Sequence, residues 1–271
     1  MKLSSRVTEL LKKEIDPAFA QRAEFIFSQI EKDKPAKILD VGCGRGFYLQ
    51  TLAGYSFVKT LIGIEAKDEY LKKARSFLSN KKIKVQKGNV YKLPFANNSF
   101  DYVILSEVLE HLENENLALQ EIYRVLKKGG GLLVSVPHHD FPFLWDPLNF
   151  FLMRVFKTHV RADWWTIAGI WADHQRLYTK HQLQNVLKTN NFKLIKLEQN
   201  IFWCWPFTHF LLYGIGKNIV EKMPGLAVNR FQTTKPSKLA NLLAAIMRWP
   251  NSLVKKTNTK NGVGLVVLVK K

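Results

Sequence analysis

A short loop rich in glycine follows the first strongly apolar segment of the chain. Residues 38–46 read ILDVGCGRG. Gly42, Gly44 and Gly46 let the backbone turn sharply and approach a ligand closely. Asp40, which ends the apolar segment, can accept hydrogen bonds from the loop or from an ammonium group. These residue types at this spacing predict a loop that binds a nucleotide-like cofactor through its backbone.

A carboxylate at the end of the next apolar segment is a second candidate binding group. Glu65 closes the sequence TLIGIE, about twenty residues beyond the loop. In a dinucleotide-binding protein a carboxylate at this place holds a ribose, so NAD is one ligand that fits the pattern. The glycines, however, follow the spacing G-x-G-x-G rather than the dinucleotide fingerprint G-x-G-x-x-G.

The order of motifs beyond the loop resembles another family, the class I S-adenosylmethionine-dependent methyltransferases, close to the methyltransferase type 11 and ubiquinone-biosynthesis groups. The motifs are ILDVGCGRG, GIEAKDEYLKKAR, KGNVYKLPF, SFDYVILSEVLEHL and LKKGGGLLVSVP. The resemblance is strong over residues 36–136 and looser over 174–199 and 263–271. It implies S-adenosyl-L-methionine as the cofactor and methyl transfer as the activity.

The resemblance also implies a role for each matched position. Asp40 and the glycine loop would hold the methionine end, and Glu65 would accept from both ribose hydroxyls. Asn89 stands where the family usually has Asp, so its amide oxygen would accept from the adenine amine. Val108 would wall the sulfonium end, although plain core packing remains an alternative for it. The implied cofactor-binding residues are Asp40, Gly42, Cys43, Gly44, Gly46, Glu65, Ala66, Asn89, Val90, Ser106 and Val108.

Three residues after the fourth predicted strand are the candidate catalytic groups. Methyl transfer requires that the acceptor be aligned and lose its proton. Glu107, Glu110 and His111 stand at positions i, i+3 and i+4, so a helix that begins directly after the strand would put all three on one face.

The E-x-x-E-H pattern of these residues leaves a metal open. It resembles the pattern of magnesium-assisted small-RNA 2′-O-methyltransferases and of ubiquinone-biosynthesis O-methyltransferases, in which such groups help to hold a divalent ion. His174 would be the best-placed further ligand, with His138 and His139 as alternatives. The same E-H-L sequence is common in metal-free members of the superfamily, so we assign no metal ligand from sequence.

Alternating strand and helix signals predict the elements that position these groups. Short apolar runs separated by helix-period stretches indicate βαβ units. The predicted strands are 37–42, 60–66, 83–89, 100–108, 131–137, 192–199 and 263–271, and the predicted helices include 68–80, 117–130 and one that begins after Thr179. We expect an α/β fold of the Rossmann-like methyltransferase type, with a doubly wound, seven-stranded, mostly parallel sheet and an antiparallel last strand.

Two aromatic-rich insertions interrupt this single predicted domain of residues 1–271, which begins with a helical segment at 1–35. The first insertion spans 138–173 and the second 200–261. Within the second, residues 217–260 carry a net charge of +8, and apolar positions after Pro236 predict an amphipathic helix. The insertions would form either a lid over the site or a patch that meets a membrane. The first insertion contains Trp145, Trp164, Trp165 and Trp171, and the second contains Trp203, Trp205 and Trp249.

Net charge and cysteine content limit the partners and the compartment that the protein can have. The net charge of +19 attracts polyanions, which are either an anionic membrane surface or nucleic acid. Only Cys43 and Cys204 are present, which fits a reducing, cytoplasmic compartment. No segment is apolar enough to predict a transmembrane helix. We expect a cytoplasmic protein, peripheral on the inner membrane face, that methylates a small hydrophobic or lipid-like acceptor, with a hydroxyl as the methylated group.

Two other functions remain open at this point. An RNA methyltransferase agrees with the charge, but the tryptophan-rich segments lack the basic and aromatic alternation of a base-stacking surface, so nucleic acid is the less favoured partner. A module that binds S-adenosylmethionine without catalysis is also open, because no residue is an unambiguous general base.

Overall fold

A seven-stranded sheet carries the fold of the computed structural model, which describes residues 3–164, 167–216, 238–253 and 261–271. The strand order is β3-β2-β1-β4-β5-β7-β6. Neighbouring strands from β3 to β5 pair in parallel, and β7 runs antiparallel between β5 and β6. The predicted fold class is confirmed. The strands are β1 (Lys37–Val41), β2 (Thr60–Glu65), β3 (Ile83–Lys87), β4 (Phe100–Ser106), β5 (Leu126–Pro137), β6 (Lys193–Asn200) and β7 (Gly264–Lys270).

Helices flank this sheet and begin where the sequence supplies capping groups. Asp16 accepts hydrogen bonds from the first free N–H groups of α2, and Thr179 forms a reciprocal capping box with Gln182 at the start of α7. The helices are α1 (Ser5–Lys12), α2 (Pro17–Asp33), α3 (Phe47–Leu52), α4 (Asp68–Phe77), α5 (Glu115–Val125), α6 (Pro147–Phe151), α7 (Lys180–Thr189) and α8 (Lys238–Ser252). Shorter helical turns are Leu109–His111, Leu152–Phe156, Gly169–Trp171 and Phe210–Gly216.

Apolar side chains leave the central strands on both faces and form two separate cores. Leu39 of β1 packs in the core that α5 and α7 complete, whereas its neighbour Ile38 packs in the core that α2 and α3 complete. Successive strand residues point to opposite faces, so a strand that is apolar throughout must be covered on both sides. The N-terminal helix α2 is therefore part of the main core, with Phe27 and Ile30 fully buried.

The predicted helix over 117–130 is wrong at its carboxyl end. Helix α5 stops at Val125, and Leu126 already pairs with Phe100 as the first residue of β5. Gly129 has a φ of +75°, and a Cβ on Gly130 would lie 2.8 Å from the carbonyl oxygen of Lys127. The glycines thus form an irregular turn within the strand, and not a helix terminus.

The two insertions pack against each other at the carboxyl end of the sheet. Phe141 and Trp145 from the first insertion share a buried cluster with Ile201 and Cys204 from the second, and Ala18 of α2 joins them. The predicted amphipathic helix after Pro236 is α8. Trp165, residues 217–237 and residues 254–260 lie outside the described residues, and with them lies much of the +8 segment. Within the ranges that the structure describes, none of the helices combines the length and the apolarity needed to cross a bilayer.

Candidate active site

A cavity of about 1230 Å³ opens at the carboxyl ends of β1, β2 and β4. Ligands of open α/β sheets bind at this edge, where the strand order reverses. The cavity is lined by Asp40, Gly42, Cys43, Gly44, Glu65, Ala66, Asn89, Val90, Ser106 and Val108, which are ten of the eleven predicted cofactor residues. The eleventh, Gly46, is not among the lining residues, and it begins α3 with a φ of +86°.

The glycine loop turns through three left-handed residues, of which Gly42 and Gly44 line the cavity and need glycine for different reasons. Gly42 has a φ of +70°, and a Cβ at this position would lie 2.4 Å from Cγ2 of Val108. Gly44 has a φ of +54°, but a Cβ there would meet no atom within 4 Å. Gly42 is therefore required by packing against Val108, whereas Gly44 borders open space in the cavity.

Glu65 links the end of β2 to this loop. Its two carboxylate oxygens each accept one backbone hydrogen bond of 2.9 Å, from the N–H of Gly44 and from the N–H of Lys67. Each oxygen keeps a lone pair for a further donor. The side chain is buried and borders the cavity, so it can accept from both hydroxyls of a ribose, as predicted.

Asp40 is a buried acceptor that needs a ligand. Its Oδ2 atom has no hydrogen-bond partner among the described residues, and the residue is 1% exposed. Burial, together with the nearby Glu65 charge, raises the pKa of Asp40. A buried orphan carboxyl group in a cavity wall is a fitting partner for an ammonium group. The amino acid end of S-adenosylmethionine carries such a group, so the residues present fit this cofactor.

Asn89 and Val90 border the opposite side of the cofactor region. Val90 is buried in the cavity wall, whereas Asn89 is exposed. The Oδ1 atom of Asn89 accepts a 2.9 Å hydrogen bond from the N–H of Tyr91. One lone pair of the amide oxygen is thus already used, and the other is left for the predicted contact with an adenine amine.

A chain of hydroxyl groups lies where β4 and β5 end. The Ser106 hydroxyl is 2.9 Å from that of Ser135 and 3.3 Å from that of Tyr48. Ser135 in turn donates to Oε1 of Glu107 at 3.0 Å. The chain connects the cofactor loop region to the first candidate catalytic carboxylate.

Glu107 is held by Arg22 of α2. The guanidinium Nη1 lies 2.9 Å from Oε2 of Glu107, and the two side chains are 12% and 33% exposed. Glu107 has a left-handed φ of +56°, an uncommon conformation that turns it away from the strand direction. Burial is the largest single influence and acts to lower the pKa of Arg22, but Glu107, Tyr48, Tyr213 and Asp16 together outweigh it and the pKa is raised. The guanidinium therefore stays charged.

Glu110 and His111 form a separate cluster with His174. The Nε2 atoms of His111 and His174 lie 3.8 and 3.9 Å from Oε1 of the fully buried Glu110. The Nδ1 atom of His111 lies 2.7 Å from the carbonyl oxygen of Asp173, and the Nδ1 atom of His174 lies 2.5 Å from the carbonyl oxygen of Ile170. Because Nδ1–H donates to a carbonyl oxygen, the Nε2 lone pair faces Glu110 in both rings.

This cluster is the group of residues that could hold a metal ion in the described part of the chain. Two imidazole nitrogens and a carboxylate suit a borderline divalent ion. Burial raises the pKa of Glu110 and lowers that of His174. A bound cation would compensate the buried Glu110 carboxylate, and the neutral imidazole that burial favours is the form that coordinates a metal. His174 thus takes the place that the sequence suggested, whereas His138 bonds to the carbonyl of Gly262.

The three predicted catalytic residues consequently do not act as one set. The segment after β4 forms only the short turn Leu109–His111, and the left-handed Glu107 precedes it. Glu107 therefore faces Arg22, while Glu110 and His111 face His174. Glu107, His111 and His174 border the cavity.

Sequence reasoning missed the residues that close the cavity from outside the central motifs. They are Arg22 and Tyr48 from the N-terminal half, and Asn200, His209 and Tyr213 from the second insertion. A signal for Arg22 was present. It stands between Phe19 and Ile26, on the apolar face of α2, where a charged residue requires a partner.

Comparisons with known proteins agree with this geometry. Residues 39–134 match the family model described as a methyltransferase domain. An uncharacterised methyltransferase of Schizosaccharomyces pombe is 41% identical over 106 residues, which are 36% of this chain and 38% of that protein. A mitochondrial ubiquinone biosynthesis O-methyltransferase of Candida albicans is 31% identical over 142 residues, which are 49% of this chain and 42% of that protein.

A solved structure extends the likeness to nearly the whole chain. The S-adenosylmethionine-dependent methyltransferase of Thermotoga maritima covers 98% of this chain and 93% of its own, with a TM-score of 0.55 and 17% identity. At that identity the likeness supports the fold alone. The match to each curated relative, in contrast, covers between 30% and 62% of that protein's length.

Proposed function

Residues 39–134 form a class I S-adenosylmethionine-dependent methyltransferase domain, and from this premise we propose that the whole protein methylates a hydroxyl group of a hydrophobic or lipid-like acceptor at a membrane surface. One observation carries the proposal. The cavity continues beyond the cofactor residues into a chamber walled by the insertions and α2, with Phe19, Trp145 and Ile170 in its lining. An apolar wall beside the candidate catalytic groups favours an apolar acceptor.

The chain's own groups can position such an acceptor and take its proton. The cofactor supplies a methyl group on a sulfonium, which reacts with a nucleophile in line. Glu107 and His111 both border the cavity, and a carboxylate or a neutral imidazole can accept a proton. The quinone-pathway relative from Candida albicans acts by O-methylation according to its name, which supports a hydroxyl acceptor.

Exposed apolar side chains support the membrane part of the proposal. Among the described residues, Leu117, Leu194 and Ile195 are the exposed large apolar side chains outside the two insertions. The remainder, here called the apolar insertion surface, are Phe143, Leu148, Phe151, Val155, Phe156, Trp164, Ile167, Trp203, Phe207, Leu211, Tyr213, Leu242, Ile246, Trp249 and Leu253. Such a concentration marks an interaction site.

The types of these side chains favour a bilayer as the partner. Trp164, Trp203 and Trp249 are each more than half exposed, and indole rings favour the headgroup region of a membrane. Lys157 and Arg161 accompany them, and each basic residue adds about 1 kcal/mol on an anionic surface. Trp145 is different, because it is buried in the chamber wall. The insertions therefore supply both a lid and an exposed surface.

Cosedimentation with vesicles tests the membrane part. We expect the protein to bind anionic vesicles more strongly than neutral ones. The combined change Trp164→Ser, Trp203→Ser and Trp249→Ser should weaken binding to both kinds of vesicle. The matched control changes Leu117, Leu194 and Ile195 to Ser, which removes equally exposed apolar groups elsewhere. Equal binding by the two variants would contradict the role of the insertions.

Labelled cofactor tests the acceptor. The protein is incubated with methyl-labelled S-adenosylmethionine and a membrane extract, and the lipid and RNA fractions are then counted. We expect the label in the organic phase. Label in RNA, with binding to RNA that falls steeply with salt, would favour the alternative, and no turnover despite cofactor binding would favour a non-catalytic module.

A further inference from the structure

The ion pair of Arg22 and Glu107 has a feature that a purely structural pair does not need. Both residues line the cavity, where a large ligand can reach them. Replacing a buried ion pair by apolar residues is often neutral or stabilising. The pair is therefore poor evidence of stabilisation, and its place in the chamber calls for a recognition role.

Arg22 has donors to spare. A guanidinium group carries five N–H donors, and within the described ranges its polar partner is the Glu107 carboxylate, reached through Nη1 at 2.9 Å. Its Nε atom is buried without a partner. The ring of Phe19, 5.3 Å from the guanidinium carbon, fixes the plane of the group.

Glu107 has acceptor capacity to spare. Oε1 receives the Ser135 hydroxyl at 3.0 Å and Oε2 receives Arg22, whereas an ionised carboxylate offers about four lone-pair sites. The chamber wall thus presents the donors of Arg22 beside the acceptors of Glu107, and the two groups are joined by one 2.9 Å contact.

The charges of the pair cancel, and this limits what it can bind. An anionic group placed on Arg22 would approach the Glu107 carboxylate, and a cationic group placed on Glu107 would approach the guanidinium. Either arrangement leaves one charge of this partly buried pair without compensation, which is costly. A neutral group with an acceptor atom beside a donor atom satisfies both sides.

We propose that Arg22 and Glu107 form an acceptor-recognition pair that selects a neutral polar group with adjacent hydrogen-bond acceptor and donor atoms, carried on an apolar body. The inference rests on the proposed function, since it places this group in the acceptor chamber. Arg22 belongs to α2, outside the matched residues 39–134, so the N-terminal segment of this chain supplies the donor half of the pair.

Three small aromatic probes test the proposal without knowledge of the natural acceptor. Benzamide offers a carbonyl oxygen beside an N–H, acetophenone offers the carbonyl alone, and benzoate has the shape of benzamide with a negative charge. Their dissociation constants are measured by NMR titration of the protein saturated with S-adenosylhomocysteine. We expect benzamide to bind at least about tenfold more tightly than either of the others, as one well-made hydrogen bond allows. Tighter binding of benzoate would overturn the proposal in favour of an anion site.

The variant Arg22→Lys tests the residue itself. Lysine keeps the charge opposite Glu107 but loses the fork of spare donors, so we expect about a tenfold loss of benzamide affinity. Arg75→Lys makes the same change on the exposed face of α4 and should have no effect. Unchanged benzamide binding by Arg22→Lys would show that the pair is structural.

The failure of this inference can be told apart from failure of the proposed function. Calorimetry with S-adenosylhomocysteine on the same samples reports the cofactor site alone, and it should give equal affinities for the parent and both variants. If Arg22→Lys does not fold, the probe series on the parent protein still decides whether the chamber selects a neutral group.

Discussion

Replacing Glu65 by alanine should weaken cofactor binding by about two orders of magnitude. The carboxylate is predicted to accept from both ribose hydroxyls, and each charge-assisted hydrogen bond contributes about 1.5–3 kcal/mol. Water can enter the space that the side chain leaves, so we discount the pair to about 3 kcal/mol, which is about 150-fold in the dissociation constant. Calorimetry with S-adenosylhomocysteine measures this value directly.

The structure adds a second way in which Glu65 can act. It accepts hydrogen bonds from the N–H groups of Gly44 and Lys67, so its loss also releases the glycine loop. A looser loop would weaken binding without any contact to the ribose. The affinity of one variant for one ligand does not separate the two effects.

A ligand that lacks one hydroxyl separates them. The parent protein should bind the 2′-deoxyribose analogue of S-adenosylhomocysteine about tenfold less tightly, because one charge-assisted bond is missing. Glu65→Ala should bind both ligands equally, since the partner of that hydroxyl is gone. Glu198→Ala, which removes a carboxylate paired with Lys196 on β6, serves as the control. If Glu65→Ala still discriminates tenfold, the ribose assignment is refuted and Glu65 only braces the loop.

Three further outcomes follow from the site. Gly44→Val should abolish cofactor binding and, at a φ of +54°, cost about 1 kcal/mol of stability. Gly42→Ala should also disturb the fold, because its Cβ would meet Val108, and Val108→Ala should relieve this. Calorimetry measures the loss of cofactor binding, and denaturant unfolding measures the loss of stability. Burial lowers the pKa of His209 to about 4 from 6.5. The unfolded chain therefore takes up a proton at a higher pH than the folded protein does. Stability is full above pH 6.5, and at most about 3 kcal/mol of it is lost as the pH falls towards 4. His209→Phe should flatten unfolding free energy over this window, and an unchanged slope would contradict the burial. If Glu110, His111 and His174 act as metal ligands, Mn²⁺ should bind the parent protein saturably and should bind His174→Ala more than tenfold less tightly. Calorimetry measures both affinities. Equally weak binding to the two proteins would show that the cluster does not hold a metal.

The parts of the site that sequence predicted are those in which each residue's role is local. The ends of β1, β2 and β4 fall where apolar runs stop, so Asp40, Glu65 and Ser106 meet at one edge of a parallel sheet. A glycine loop directly after a strand needs no tertiary information either. These positions follow from strand period and from topology alone.

The parts that sequence missed depend on contacts between distant segments. Glu107, Glu110 and His111 are within five residues of one another, but a left-handed φ at Glu107 sends the first towards Arg22 and leaves the others to His174. Helical spacing could not anticipate a non-glycine residue in that conformation. The basic residues before Gly129 likewise imitate a helix terminus, and only their pairing with β4 shows a strand.

The second insertion leaves and returns at neighbouring residues of the sheet. Gly264, at the start of β7, pairs with Pro137 at the end of β5 and with Asn200 at the end of β6. Adjacent strands are about 4.8 Å apart, so the second insertion could be shortened to a tight turn without moving any strand. The glycine loop and Glu65 follow β1 and β2, which lie three and four strands away from β7. Exchange of the second insertion can therefore change its own share of the chamber wall, including His209 and Tyr213, while the cofactor half of the sheet stays unaltered.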